Sequence, residues 1–320
     1  MDNNLLMGLE SPEPTPDAAL EASEANFEPD IPEKPDFVKK IESFDMKNLT
    51  KENIDFMTSA IQNRFLENFP VEPELVAKIP DHILVVDAKG YKSYFDERDT
   101  APNVNIDGYV GFYDKKLDKM IINSDAHETP GTLFATLFHE GLHFVSMRQG
   151  AGFGNNFTYP TEIDDDAELS DKIDTGVQAL IEGTTQLITF SNVIYGMGFD
   201  KHESMFSYEP EWRVMEAFWA PFSKESRFNA YFKNSMEDIR IGMEKQFKSE
   251  GHEVDSEFSN GIFAECLARI GSATNRAKEA LENWVKGGDP EEVKTVLDGV
   301  YEFADQLATH LGVKEEEEDA

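Results

Sequence analysis

His139-Glu140-Gly141-Leu142-His143 sets two imidazoles four residues apart with a carboxylate between them. On a helix, residues at that spacing lie on one face about one turn apart, so both rings can reach a single ion. Nitrogen donors in such a pair suit zinc, which takes four ligands in a tetrahedron. Glu140 can lean over a zinc-bound water without binding the metal. There it would accept the water's proton and later return it. The chemistry implied by this spacing is hydrolysis by an activated water.

Two histidines leave such a site one protein ligand short. The segment Val177 to Tyr195, VQALIEGTTQLITFSNVIY, reads as an apolar helix interrupted by Glu182. A carboxylate flanked by Leu180, Ile181, Leu187 and Ile188 is costly to bury unless a cation meets it. Glu162, Glu168, Asp174 and His202 are the other candidates for the third position. Gly183, beside Glu182, would permit close approach of the two ligand helices. A metzincin arrangement is disfavoured, because Ser146 stands where that pattern needs glycine and Gln149 where it needs histidine.

HEGLH followed by 38 intervening residues and then IEG in a second helix resembles the gluzincin group of zinc metallopeptidases. The likeness spans residues 80 to 220 and is specific at His139, Glu140, His143 and Glu182. It implies that His139, His143 and Glu182 hold Zn2+, that Glu140 activates the zinc-bound water, and that the chain is an endopeptidase acting on a protein or peptide. Such a hydrolase also benefits from a donor aimed at the developing oxyanion, where one positioned hydrogen bond contributes about 3 kcal/mol. Ser207 to Glu216, SYEPEWRVME, offers Tyr208 for that role, with His202 and Tyr195 as competitors. Arg213 is expected to pair with Glu209 or Glu216.

The elements that must position these groups are legible in the pattern. Thr129 suits a helix cap, Pro130 the first turn and Gly150 a left-handed stop, while Leu133, Phe134, Leu137 and Phe138 anchor one face in a core. Residues 36–79 carry apolar side chains at three-to-four spacing and form a helical lead-in. His82 to Tyr94 switches to β-branched and aromatic residues around a turn at Ala88-Lys89-Gly90, and Gly108–Tyr113 and Lys119–Asn123 flank a second turn. These predict a short, partly antiparallel sheet whose edge can pair with an extended peptide. Helices are expected over about 130–149, 176–195, 209–221, 225–249, 258–284 and 290–311. The acid-rich run Glu162 to Asp174 lacks the spacing of a calcium loop and is read as a solvated loop. At the rim of a cleft it would favour basic substrates.

The expected fold class is therefore α+β and zincin-like, with a small mixed or antiparallel sheet before a mainly helical region. The expected organisation is an acidic, proline-containing leader at 1–35 without ordered structure, the lead-in at 36–79, a metallopeptidase domain at 80–311 and an acidic tail at 312–320. Within that domain the sheet occupies about 80–125 and the helices about 129–311.

Composition narrows the function classes. The chain has 320 residues, 63 Asp+Glu against 29 Lys+Arg, and a formal charge of −34, most of it outside the two tails. A nucleic-acid backbone binder needs the opposite sign. At 40% hydrophobic residues it can build a sizeable core, yet no run is apolar enough to predict a membrane span. Cys266 is the one cysteine, so no internal disulfide forms. The absence of a classical signal peptide fits a cytoplasmic protein, phage-encoded or microbial, or an effector delivered by a specialised route. Two other function classes stand beside the peptidase: a catalytically idle zincin-like binding module, and an acidic interaction protein that holds no metal.

Overall fold

The computed structural model describes residues 34–96, 110–114, 117–149, 167–200, 208–222, 224–233 and 256–311. It is mostly helical, with a three-stranded mixed sheet, which makes the architecture α+β. Among the described residues no helix is long and apolar enough to cross a membrane. The leader as far as residue 33 and the tail at 312–320 lie outside the described residues, as do Gly108, Gly150 and 234–249 of the expected helices and strands.

The lead-in consists of α1 (Asp36–Glu42), α2 (Lys51–Asn68) and two single helical turns, Pro73–Val76 and Ile79–His82. Thr50 and Asn53 cap α2 reciprocally: the Asn53 N–H donates to Thr50 Oγ1 at 3.2 Å and the Thr50 N–H to Asn53 Oδ1 at 2.9 Å. This satisfies two donors that a first turn leaves unpaired. Met57, Ile61 and Phe65 recur every fourth residue and are fully buried. Phe65 meets Phe138 edge to face, with centroids 4.9 Å apart, so the lead-in packs directly on the helix that carries the histidine motif.

Strands β1 (Ile83–Val86), β2 (Gly111–Asp114) and β3 (Lys119–Asn123) form the sheet in the order β1-β3-β2. β2 runs antiparallel to β3 with Gly111 opposite Ile122, whereas β1 runs parallel to β3 with Ile83 opposite Met120. Alternation divides β3 between two faces: Met120 and Ile122 enter the main core, and Ile121 joins Tyr91, Leu84, Val86, Tyr94 and Phe112 on the other side.

The expected turn at Ala88-Lys89-Gly90 is instead the first turn of α3 (Ala88–Asp96). Asp87 ends β1 and caps this helix, its Oδ1 accepting from the Gly90 N–H at 2.7 Å. Asp125 accepts from the Ala88 N–H at 2.9 Å. Tyr91 and Tyr94, which read as strand residues, fall three apart on one helical face and cover Ile121. Tertiary burial outweighed the β propensity of these aromatics.

Helix α4 (Pro130–Arg148) carries the motif. Thr129 is its cap, Thr129 Oγ1 accepting from the Thr132 N–H at 3.2 Å, and Pro130 occupies the first position. Nearly every residue from Gly131 to Ser146 is buried, as befits a helix enclosed by α2, the sheet and the glutamate helix.

The glutamate helix begins earlier than its apolar pattern predicts. α5 (Ala167–Gln178) leads into a π turn, Ala179–Gly183, then α6 (Thr184–Phe190) and a second π turn, Ser191–Gly196. The acid-rich run is thus not a loop over its second half: residues 167–174 are helical, and Ile173 is buried in the core. Over Glu162 to Asp174 seven acids stand against four apolar residues, and that masked the helix. Residues 162–166 lie outside the described residues.

The remaining helices are α7 (Glu209–Trp219), α8 (Lys224–Lys233), α9 (Ser256–Val285) and α10 (Pro290–Leu311). α9 lies along α5, and α10 folds back over α9 and α7. Together they buttress the outer side of the glutamate helix.

Candidate metal centre

α4 projects His139 and His143 from one face, and the π turn projects Glu182 toward them. The two Nε2 atoms are 3.1 Å apart, and Glu182 Oε2 lies 3.3 Å from each. Three ligands of a tetrahedral zinc ion, with bonds near 2.0–2.1 Å, stand about 3.3 Å from one another, so the triangle has the dimensions of such a site. The imidazole planes meet at 70° with centroids 4.8 Å apart. Each Nε2 has one in-plane lone pair or one hydrogen, so it cannot make hydrogen bonds to two partners at once. A cation at the common focus satisfies all three atoms together. Among the described residues this is the one cluster of His, Cys, Asp and Glu side chains with metal-site spacing.

The electrostatics agree with the donor set. Burial alone would push the Glu182 carboxyl up, but His143 and His139 outweigh it and hold that carboxyl well below the usual carboxylate range. Burial likewise tends to lower His143, and Glu182 with Glu140 reverses the sign, leaving the imidazole raised. The carboxylate and the imidazoles favour each other's charged forms, so positive charge is stabilised beside Glu182, whether carried by imidazolium or by a cation held between neutral rings.

Glu140 is 7% exposed and lies on the side of α4 nearest β2. Burial pushes its carboxyl up; His139 and His143 partly oppose this, and Glu182 reinforces it. Gly111 of β2 makes room here: a Cβ on it would come within 3.5 Å of Glu140 Cγ and within 2.9 Å of Thr136 Cγ2. The edge strand therefore runs against the helix at the glutamate. The sequence signal for this was only a glycine opening a strand.

Of the donor candidates, Tyr208 stands at the site. It precedes α7, and its ring stacks on His139 with planes 11° apart and centroids 6.0 Å apart. Tyr195 is 76% exposed and packs edge-on against Phe190. Arg213 pairs with Glu209 at 2.7 Å and 2.9 Å, one of the two expected pairings. Asp174 is exposed on α5 and takes no part in the triangle. Glu162 and His202 lie outside the described residues, and nothing is described of the Glu168 side chain.

Gly183 does permit a close approach, but of a different pair of helices. A Cβ there would lie 2.5 Å from the carbonyl oxygen of Glu211 and 2.8 Å from Met215 Cγ, so α7, not α4, crosses the π turn at this point. The same crossing brings Tyr208, three residues before Glu211, over His139. A π turn at the ligand has no marker in residue type that sequence reasoning used, although such turns concentrate at functional sites.

Comparison with known protein families, curated proteins and solved structures returned no match.

Proposed function

We propose that the chain is a zinc-dependent peptidase of zincin-like, gluzincin type, with His139, His143 and Glu182 as zinc ligands and Glu140 as general base. The observation that carries this reading is the triangle of 3.1, 3.3 and 3.3 Å among two imidazole nitrogens and a carboxylate oxygen, with a non-ligating glutamate beside it. A purely structural site has no use for that glutamate, whose burial otherwise only costs stability.

Zinc supplies Lewis acidity at this position, making water acidic near neutral pH and polarising a carbonyl oxygen brought to it. The chain's own residues do the rest. Glu140 takes a proton from the attacking water as its oxygen bonds to the scissile carbonyl carbon. A buried carboxyl with a raised pKa both accepts that proton and gives it up, here to the departing amine nitrogen as the C–N bond breaks. Tyr208, whose ring stacks on His139, is the proposed donor to the oxyanion. β2 runs beside Glu140, and it is the strand proposed to lie along a bound peptide. The strongly acidic surface favours basic peptides through electrostatic steering.

The test is elemental analysis and peptide hydrolysis on purified wild type, His143→Ala, Glu182→Ala and Glu140→Gln. The reading expects about one zinc per chain in wild type and in Glu140→Gln, reduced zinc in the two ligand variants, and hydrolysis lost in all three. Zinc retained in Glu182→Ala would reassign the third ligand. Hydrolysis persisting in Glu140→Gln would remove the base. Zinc without hydrolysis in wild type, across a panel of basic and neutral peptides, would support the idle binding module instead.

A further inference from the structure

The phenol of Tyr231 is fully buried, on a helix, α8, that packs against α4. Its oxygen lies 2.7 Å from Oγ1 of Thr185, three residues beyond Glu182. Ser146, three residues beyond His143, is a neighbour of the same phenol. Both residues therefore fall one turn past a proposed ligand, one on each helix.

The direction of these bonds follows from counting hydrogens. Thr185 has a single hydroxyl hydrogen and directs it to the Ile181 carbonyl at 2.7 Å. The phenol must then donate to Thr185, while Ser146 directs its own hydrogen to the His143 carbonyl at 3.2 Å. Burial pushes the phenol above its ordinary pKa, so it stays a neutral donor. Ile181 belongs to the π turn and is the residue before Glu182. A hydrogen-bonded path thus runs from Tyr231 on α8, through Thr185, to the peptide group adjoining Glu182, and α8 itself packs on α4.

We infer that Tyr231 is a positioning residue for the metal centre, its hydroxyl fixing the register of the glutamate helix against α4 so that Glu182 meets the two histidines. The inference rests on the metal-centre reading. Apolar packing alone would keep the helices in contact, but it is tolerant of small sliding, and the triangle is not. A directional hydrogen bond in a dry interior supplies the missing constraint. Outer partners of this kind tune affinity without touching the ion.

Tyr231→Phe removes one oxygen and keeps the ring. Its zinc Kd, measured by competition with a chromophoric chelator, is expected to rise about ten- to a hundredfold. Thr185→Val cuts the same bond from the other side and should give a similar rise, with the double variant no weaker than the weaker single one. A merely structural hydroxyl would lower the melting temperatures of the metal-free and zinc-loaded proteins together and leave Kd unchanged, because both states would lose the same stabilisation. An unchanged Kd in Tyr231→Phe overturns the inference whatever happens to the melting temperature. If Tyr231→Phe does not fold, Thr185→Val decides in its place. Wild type that binds no zinc overturns the metal centre and this inference together; wild type and Tyr231→Phe binding equally overturns this inference alone.

Discussion

Gly183 and the Glu211 carbonyl are in contact across two helices, with no space for a methyl group between them. This crossing sets where α7 begins relative to the π turn, and so where Tyr208 sits over His139. Gly183→Ala is expected to push α7 outward at a cost of about 1–3 kcal/mol, as overpacked sites do. Thermal unfolding should report the loss. If Tyr208 acts as the oxyanion donor, kcat should fall more than zinc content does; equal melting temperatures in variant and wild type would mean the crossing is looser than it looks.

Zinc should stabilise the fold by mass action. At a thousandfold excess over Kd the gain is about 4 kcal/mol, which for a chain of this size raises Tm by roughly 5–8 °C. Scanning calorimetry with and without chelator checks this. His143→Ala and Glu182→Ala should lose the increment, whereas Glu140→Gln should keep it, because its side chain is not part of the triangle.

His127, in the connection before α4, is 7% exposed. Burial holds its imidazole down to about 4, against a weaker upward effect of a backbone hydrogen bond with Val110. Since the unfolded chain protonates near pH 6.5, it binds more protons than the native state between those two values. Stability should therefore rise with pH through this window and be lost as pH falls from 6.5 toward 4, by at most about 3 kcal/mol. Urea titrations at stepped pH would show the slope. The same series on His127→Gln should be flatter, whatever its absolute stability.

Thr129→Ala tests whether the cap of α4 matters to the fold rather than to the chemistry. Removing the oxygen that accepts from the Thr132 N–H should cost about 1 kcal/mol. Zinc content and Kd should stay at wild-type values, because the cap lies more than two turns before His139. A change in Kd comparable to that of the ligand variants would show that helix fraying reaches the site.

How much of this was legible in residues alone varies with the range of the forces involved. The capped helix with His139 and His143 on one face depends on i to i+4 geometry and on a threonine and a proline at its start, all of them local. The β2–β3 pair likewise follows from two alternating runs flanking a short turn. By contrast, the helix over Ala88–Asp96 was hidden because Tyr91 and Tyr94 resemble strand residues until Ile121 is seen beneath them. The helix over 167–174 was hidden by its acids.

The sequence by itself determined that two imidazoles and a glutamate share a buried helix, because a four-residue spacing has only one consequence once the backbone coils. Only the tertiary structure decided which distant carboxylate faces them, which tyrosine stacks on His139 and which phenol bonds the glutamate helix. Glu182, Tyr208 and Tyr231 come from three separate helical segments, and their meeting depends on how those helices cross. Crossings are set by many side chains at once, by steric allowances such as Gly111 and Gly183, and by a π turn that rotates one carboxylate into place. No short stretch of sequence encodes any of these alone.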